Sequence, residues 1–208
     1  MKLAILSESL ADEASLRILV DAVVRKKTIP PQIPSLRIAG WSGVPGIIPT
    51  VLMHLHYQTD VDGLVVVADS DDSPPHDVSH ESQPLPDCRY CRIQEAIAET
   101  KKKLKPIQGR PRVNVAVGIA IPALEAWWLC GTNPHYAEAP AIRRVATESL
   151  LHMRKELKLK LYGTIRPTLE IEMMRMCEAA RRVTDDLEEL ERAFPIGIGL
   201  LRQQLRLW

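Results

Sequence analysis

Apolar residues along this chain follow two rhythms, and the change between them divides it. Before about Ala137, short unbroken apolar runs alternate with segments of helical spacing; after it, helical spacing stands alone. Lys2 to Leu6 reads as a first strand. Leu16, Leu19, Val20, Val23 and Val24 then line one face of a helix from Leu10 to Val24. Ser9 suits the N-cap of that helix, Asp12 and Glu13 suit its first turn, and Arg25, Lys26 and Lys27 suit its end. Thr28 to Pro34 is Pro-rich and reads as a loop, Leu36 to Ala39 as a second strand, and Ile47 to Tyr57 as a helix with Pro49 in its first turn. Leu64 to Ala68 is unbroken and Val-rich, the composition of a strand buried on both faces in a parallel sheet. Ser73 to Pro86 is expected to be a loop, Cys91 to Leu104 a helix, Val113 to Ile121 a strand ended by Pro122, and Ala123 to Cys130 a helix. The later helices are expected over Ala137 to Lys160, Leu169 to Leu190 and Ile196 to Leu207, with Pro140, Pro167 and Pro195 at their boundaries.

This layout predicts an α/β class, with a mainly parallel sheet flanked by helices over residues 1–135. A helical portion, 136–208, is expected to pack on the same domain. Composition changes little: 46% hydrophobic and 25% charged residues over 208 positions describe an ordinary globular chain. A single Phe leaves the core to Leu, Ile, Val and Ala. The net charge of +1 indicates neither nucleic acid nor membrane as a partner, although a local basic patch could still bind phosphate. No apolar run is long enough to span a bilayer, Ser7 and Glu8 interrupt the N-terminus too early for a signal peptide, and four cysteines make no disulfide framework. A cytoplasmic protein is expected.

Chemistry changes the picture more. The apolar run ends in Asp69-Ser-Asp71-Asp72, and ligands of open α/β sheets bind beyond the carboxyl ends of the strands. Glu8 follows the first expected strand and Glu125 the last, so a parallel sheet would gather Glu8, Asp69, Asp71 and Glu125 on one edge. Oxygen ligands of this kind suit Mg²⁺ or Mn²⁺, and a glutamate left beside such an ion can act as general base or acid. A solvated acidic turn is the plain alternative, and Glu125 alone could simply face a helix dipole.

Three segments carry a resemblance. Glu8-Ser-Leu-Ala-Asp-Glu-Ala-Ser-Leu16 resembles the E-G-x-T-[DE]-E-x-F-L opening of Toprim-type domains. Asp69-Ser-Asp71-Asp72 resembles their D-x-D motif, and Ile121-Pro-Ala-Leu-Glu125-Ala-Trp-Trp-Leu129 the P-x-x-E-A-W-L segment of a small bacterial branch. Leu157 to Gly163 is similar to its C-terminal part. That branch is the DUF4276-like family, related to the Toprim nucleases of overcoming-lysogenization-defect proteins. Ser9 stands where the branch has glycine, and Ala11 where it has a small hydroxyl residue. The resemblance implies a Toprim-like fold and Mg²⁺- or Mn²⁺-dependent nuclease chemistry on DNA or RNA, in phage or plasmid defence with a protein partner. Glu8 would be general acid/base or a ligand in a two-metal site, Asp69 and Asp71 would hold Mg²⁺ with Asp72 as accessory, and Glu125 would complete a second metal position. A non-catalytic module of the same fold, docking a protein or nucleic acid, is the rival expectation.

Two further groups remain. His76, His80, Cys88 and Cys91 fall within sixteen residues and form a valid tetrahedral Zn²⁺ set, the alternative being a free C-x-x-C turn with incidental histidines. Redox chemistry at the two thiols is disfavoured because they follow a loop. Lys101, Lys102, Lys103 and Lys105 could track a nucleic-acid backbone or simply end a helix in solvent. Trp127 and Trp128 fit core anchors better than base-stacking platforms. No P-loop, G-x-G-x-x-G or G-x-S-x-G motif occurs; Gly40 to Gly46 is glycine-rich but lacks the Walker lysine, and a loop near the site is expected there.

Overall fold

A computed structural model of the chain describes residues 1–32, 44–71, 73–145 and 148–208. The expected strand Leu36 to Ala39, residues 40–43 of the glycine-rich stretch, and Asp72 lie outside the described residues.

The apolar runs of the first half pair as a parallel sheet. Strands β1 (Leu3–Leu6), β2 (Gly63–Asp69) and β3 (Asn114–Ala120) lie in the order β1-β2-β3, with Leu6 opposite Val66 and Asp69 opposite Ala120. Central β2 is buried on both faces, which is why its sequence does not alternate. Val65 and Val67 join Leu3, Ile5 and Ala116 on one side, while Leu64, Val66 and Ala68 join Ala4, Leu6, Val117 and Ile119 on the other. Helices α1 (Leu10–Val24), α2 (Val44–Gln58), α3 (Ser79–Ser82), α4 (Arg89–Lys103) and α5 (Leu124–Trp128) connect or follow the strands. Ile48, Leu52 and Leu55 of α2 and Ile93 and Ile97 of α4 cover the second side. Each such fully buried side chain contributes roughly 1.5–3 kcal/mol by removal from water.

The helical half covers the first side, apart from Ala141, Ile142 and Ile196, which pack on the second. It comprises α6 (Glu138–Val145), α7 (Leu150–Tyr162), α8 (Leu169–Thr184), α9 (Leu187–Ala193), a π turn (Pro195–Gly199) and α10 (Leu200–Leu205). α8 packs along α1, and α10 packs on β3. Trp127, Trp128, Phe194 and Leu201 share one core cluster with β1 and α1. One polar contact ties this half together, and another fastens it to the sheet. The buried Glu138 carboxylate accepts the N–H groups of Ile196 (2.7 Å) and Gly197 (2.8 Å), which opens the last helical stretch as a π turn. The Gln204 side-chain amide accepts the Val117 N–H (3.1 Å) and donates to the Val117 carbonyl (3.0 Å).

Several boundaries differ from expectation. The loop Ser73 to Pro86 contains α3, which carries His80. α2 begins at Val44, so Pro49 lies inside it rather than in the first turn. Ala137 to Lys160 is two helices, interrupted at Glu148 and Ser149; Arg144 ties their junction by pairing with Glu148 and Glu156. Leu169 to Leu190 divides at Asp185 and Asp186, where the Asp186 carboxylate accepts the Glu189 N–H (2.8 Å) and caps a new helix.

Candidate functional site

The carboxyl ends of the strands open onto one pocket, and local capping places its side chains. After β1 the chain turns at Ser7 and Glu8 into α1. Ser9 caps α1: its Oγ accepts the Asp12 N–H (3.0 Å), and the Asp12 carboxylate accepts the Ser9 N–H (2.9 Å). Ser9 has φ −136°, extended backbone that needs no glycine, so the serine fits and supplies a cap. β2 ends at Asp69, whose Oδ1 accepts the Leu124 N–H (2.8 Å) at the start of α5. That bond brings Glu125, the next residue, to the same place. A pocket of about 220 Å³ is lined by Glu8, Asp12, Asp69, Glu125, Arg154 and Tyr162, with Lys158 and Glu172 on its wall. The edge expected from strand order therefore gathers Glu8, Asp69 and Glu125.

Crowded carboxylates in a buried pocket resist ionisation. Burial raises the Asp69 carboxyl well above its ordinary value; Glu125, Glu8 and Asp12 add to the rise and Arg154 opposes it. Burial, then Glu125, pushes Asp12 up to about 7. Glu8 is raised by burial, with Arg154 opposing. Two arginines answer this charge. Arg154 pairs with the Asp69 carboxylate and, at 2.6 Å, with Asp71. Arg89 donates to Asp71 (2.6 Å) and to the Asp69 carbonyl (2.7 Å). Asp71 sits at φ +45°, a left-handed conformation that Asp tolerates better than most residues. The Tyr162 hydroxyl donates to Glu125 (3.3 Å), and burial, then Glu125, pushes the phenol up, so it stays protonated.

Asp69 and Asp71 thus already face one shared cation, the Arg154 guanidinium. Among the described residues the acidic oxygens do not close into a ready ligand set of three or more; His76, His80, Cys88 and Cys91 do. Their ligand atoms all lie within 4.8 Å of one another, so this cluster could hold a metal such as zinc. Cys88 and Cys91 are free and buried. Burial pushes the Cys88 thiol up to about 11, opposite to the lowered pKa of a redox-active pair.

Other expected residues fall elsewhere. Lys101, Lys102 and Lys103 end α4, whose first residue is Arg89; helix rise puts them roughly 20 Å from that arginine. Lys102 pairs with Glu99 (2.6 Å), and Lys105 joins its backbone to Tyr57 and His56 at the C-terminal end of α2. The lysines do not flank the carboxylate edge. Trp127 and Trp128 are wholly buried core residues. Arg89, Arg154, Lys158, Tyr162 and Glu172 were not anticipated, and Asp12 was expected only as a first-turn charge. The signal for three of them was the spacing Arg154, Lys158, Tyr162, which sets them on one face of α7.

No protein-family model matches the chain, and neither a curated protein nor a solved structure shows significant similarity to it. Among the described residues, no helix is long and apolar enough to cross a membrane.

Proposed function

We propose that the carboxylate edge performs metal-dependent cleavage of phosphodiester bonds in DNA or RNA, as a Toprim-like nuclease would. The observation that carries this reading is the convergence of Glu8, Asp69 and Glu125 on one pocket at the strand ends, beside Arg89 and Arg154. Asp69 and Asp71 would hold Mg²⁺ or Mn²⁺, with Glu125 beside them; the donor set is all oxygen, as these hard ions require. The ion would supply Lewis acidity toward a phosphate oxygen. Arg154 already shares both aspartates, so it would turn its guanidinium to the phosphate when the ion binds. Its forked donors, with those of Arg89, match phosphate oxygens bidentately and oppose the charge that grows in the transition state. Glu8, with its raised pKa, would hold or accept the proton at the attacking or leaving oxygen. The thiolate–imidazole set would take a softer ion, Zn²⁺.

A second reading is favoured by the same arginines. Both pair with Asp71, and Arg154 also pairs with Asp69, as a non-catalytic module docking a protein or nucleic acid would allow. Calorimetry of Mg²⁺ and Mn²⁺ on wild type and Asp69→Ala, with cleavage assays of labelled DNA and RNA on the same samples, separates them. Metal binding lost in Asp69→Ala together with metal-dependent cleavage supports the nuclease. Binding without cleavage of any substrate supports the module. No binding at all leaves the cluster an ion-paired turn.

A further inference from the structure

The segment from Pro74 to Asp87 has no buried side chain. Its only regular structure is the four-residue α3, and none of its residues belongs to either core cluster. A surface segment this long needs some other restraint to hold a single conformation. Its two ends carry one: His76 and His80 from the segment face Cys88, which precedes α4, and Cys91, in the first turn of α4.

The geometry points to a structural Zn²⁺ site made by His76, His80, Cys88 and Cys91, which fixes the start of α4 and thereby the reach of Arg89 to the carboxylate edge. Nδ1 of His76 lies 3.5 Å from Sγ of Cys91 and 3.8 Å from Sγ of Cys88. Those are the edges of a tetrahedron around zinc: ordinary Zn–S and Zn–N bonds put such ligands about 3.5 Å apart. Two thiols and two imidazoles offer no hard oxygen, which selects against Mg²⁺ and Ca²⁺, and four protein ligands leave no open position for catalysis. The neighbouring ring of Tyr90, with its centroid 4.4 Å from that of His76, holds the imidazole in place.

The link to the carboxylates is short. Arg89 follows Cys88 directly; its N–H donates to Ser73 Oγ (2.9 Å), and its guanidinium reaches Asp69 and Asp71. Ser73 in turn donates to the Asp87 carbonyl (3.1 Å). Metal at the four ligands thus closes the loop between Asp71 and Arg89 at its base. The site stands whether or not the carboxylate edge cleaves nucleic acid.

The test is elemental analysis of the purified full chain, with wild type, Cys88→Ser/Cys91→Ser and Asp69→Ala side by side. About one zinc per chain is expected in wild type and Asp69→Ala, falling at least about tenfold in the double variant. Two measurements on wild type guard against a double variant that fails to fold. Cobalt exchanged for zinc should give the visible bands of a tetrahedral thiolate site. Stripping zinc with a chelator should raise hydrogen exchange over residues 73–92 while leaving β1, β2 and β3 protected. A folded wild type without zinc and without the cobalt bands overturns the site, as does a Cys88–Cys91 disulfide, iron or copper in its place, or zinc retained by the double variant. Unchanged exchange over 73–92 after stripping overturns the restraint on Arg89.

Discussion

Arg154 sets how the carboxylate edge behaves, because it pairs with both Asp69 and Asp71 from a helix far along the chain. Under the nuclease reading it competes with the ion in the free protein and serves the phosphate during reaction. At about pH 8, Arg154→Ala is therefore expected to bind Mg²⁺ several-fold more tightly by calorimetry, yet to cleave about a hundredfold more slowly. Weaker binding together with unchanged cleavage would remove Arg154 from both roles. Protons are the other competitor. Asp69 is raised by burial and then by Glu125, and Asp12 by burial and then by Glu125 to about 7. Their protonated forms stabilise the fold fully below the ordinary carboxyl range, and that stability is lost as pH rises through their raised values, for Asp12 about 7. Metal must displace those protons, so its affinity should climb with pH over the same window, and saturating Mg²⁺ should raise Tm more at about pH 8 than at about pH 5. An Mg²⁺-induced Tm shift independent of pH would show that these carboxyls do not answer to the ion. Asp69 was legible in the sequence because an apolar run stops on it. Arg154 was not, since Lys155 and Glu156 beside it give the mixed charges of a solvated helical face and only the folded chain reveals its partners.

At the level of elements, local signals placed the first half well where they were redundant. Helix α1 has a periodic apolar face, an N-cap serine and acidic first-turn residues, and it starts at the expected residue. The capping box gives a direct check: Ser9→Ala should cost about 1 kcal/mol and Ser9→Gly only a few tenths, read by denaturant unfolding. No loss in Ser9→Ala would mean that Ser9 Oγ contributes nothing as a cap. Where signals were single, boundaries slipped. Nothing in Glu148-Ser149 or Asp185-Asp186 outweighs the helical spacing around them; the breaks there come from Arg144 and from the Asp186 cap. Likewise α3 is a single turn within a polar, Pro-rich stretch, too short for periodicity to register.

Across the whole molecule, the sequence suggests two halves, whereas the fold uses the second to finish the first. α8 supplies the partner of α1, and α7 supplies the pocket wall carrying Arg154, Lys158 and Tyr162. The closing contact is the π turn against β3. A Cβ at Gly197 would lie 2.4 Å from the Ile119 carbonyl oxygen and 3.0 Å from the Trp127 ring. Gly197→Ala should thus force the turn off the sheet at a cost of about 1–3 kcal/mol by thermal or denaturant unfolding. A neutral result would mean the turn has room to shift. Such long-range closure leaves no periodic trace in sequence, only a glycine between two isoleucines.

The pairing of Gln204 with Val117 has a consequence for how these molecules behave in each other's company. Among the described residues β3 is an outer strand, and outer strands offer their unpaired peptide groups as a template on which another chain can lay a strand of its own. Here one amide side chain imitates the missing neighbour, taking both the donor and the acceptor of Val117. The helix that carries it keeps β3 from becoming a growth point, so crowded copies of the protein are denied strand-by-strand aggregation at that position.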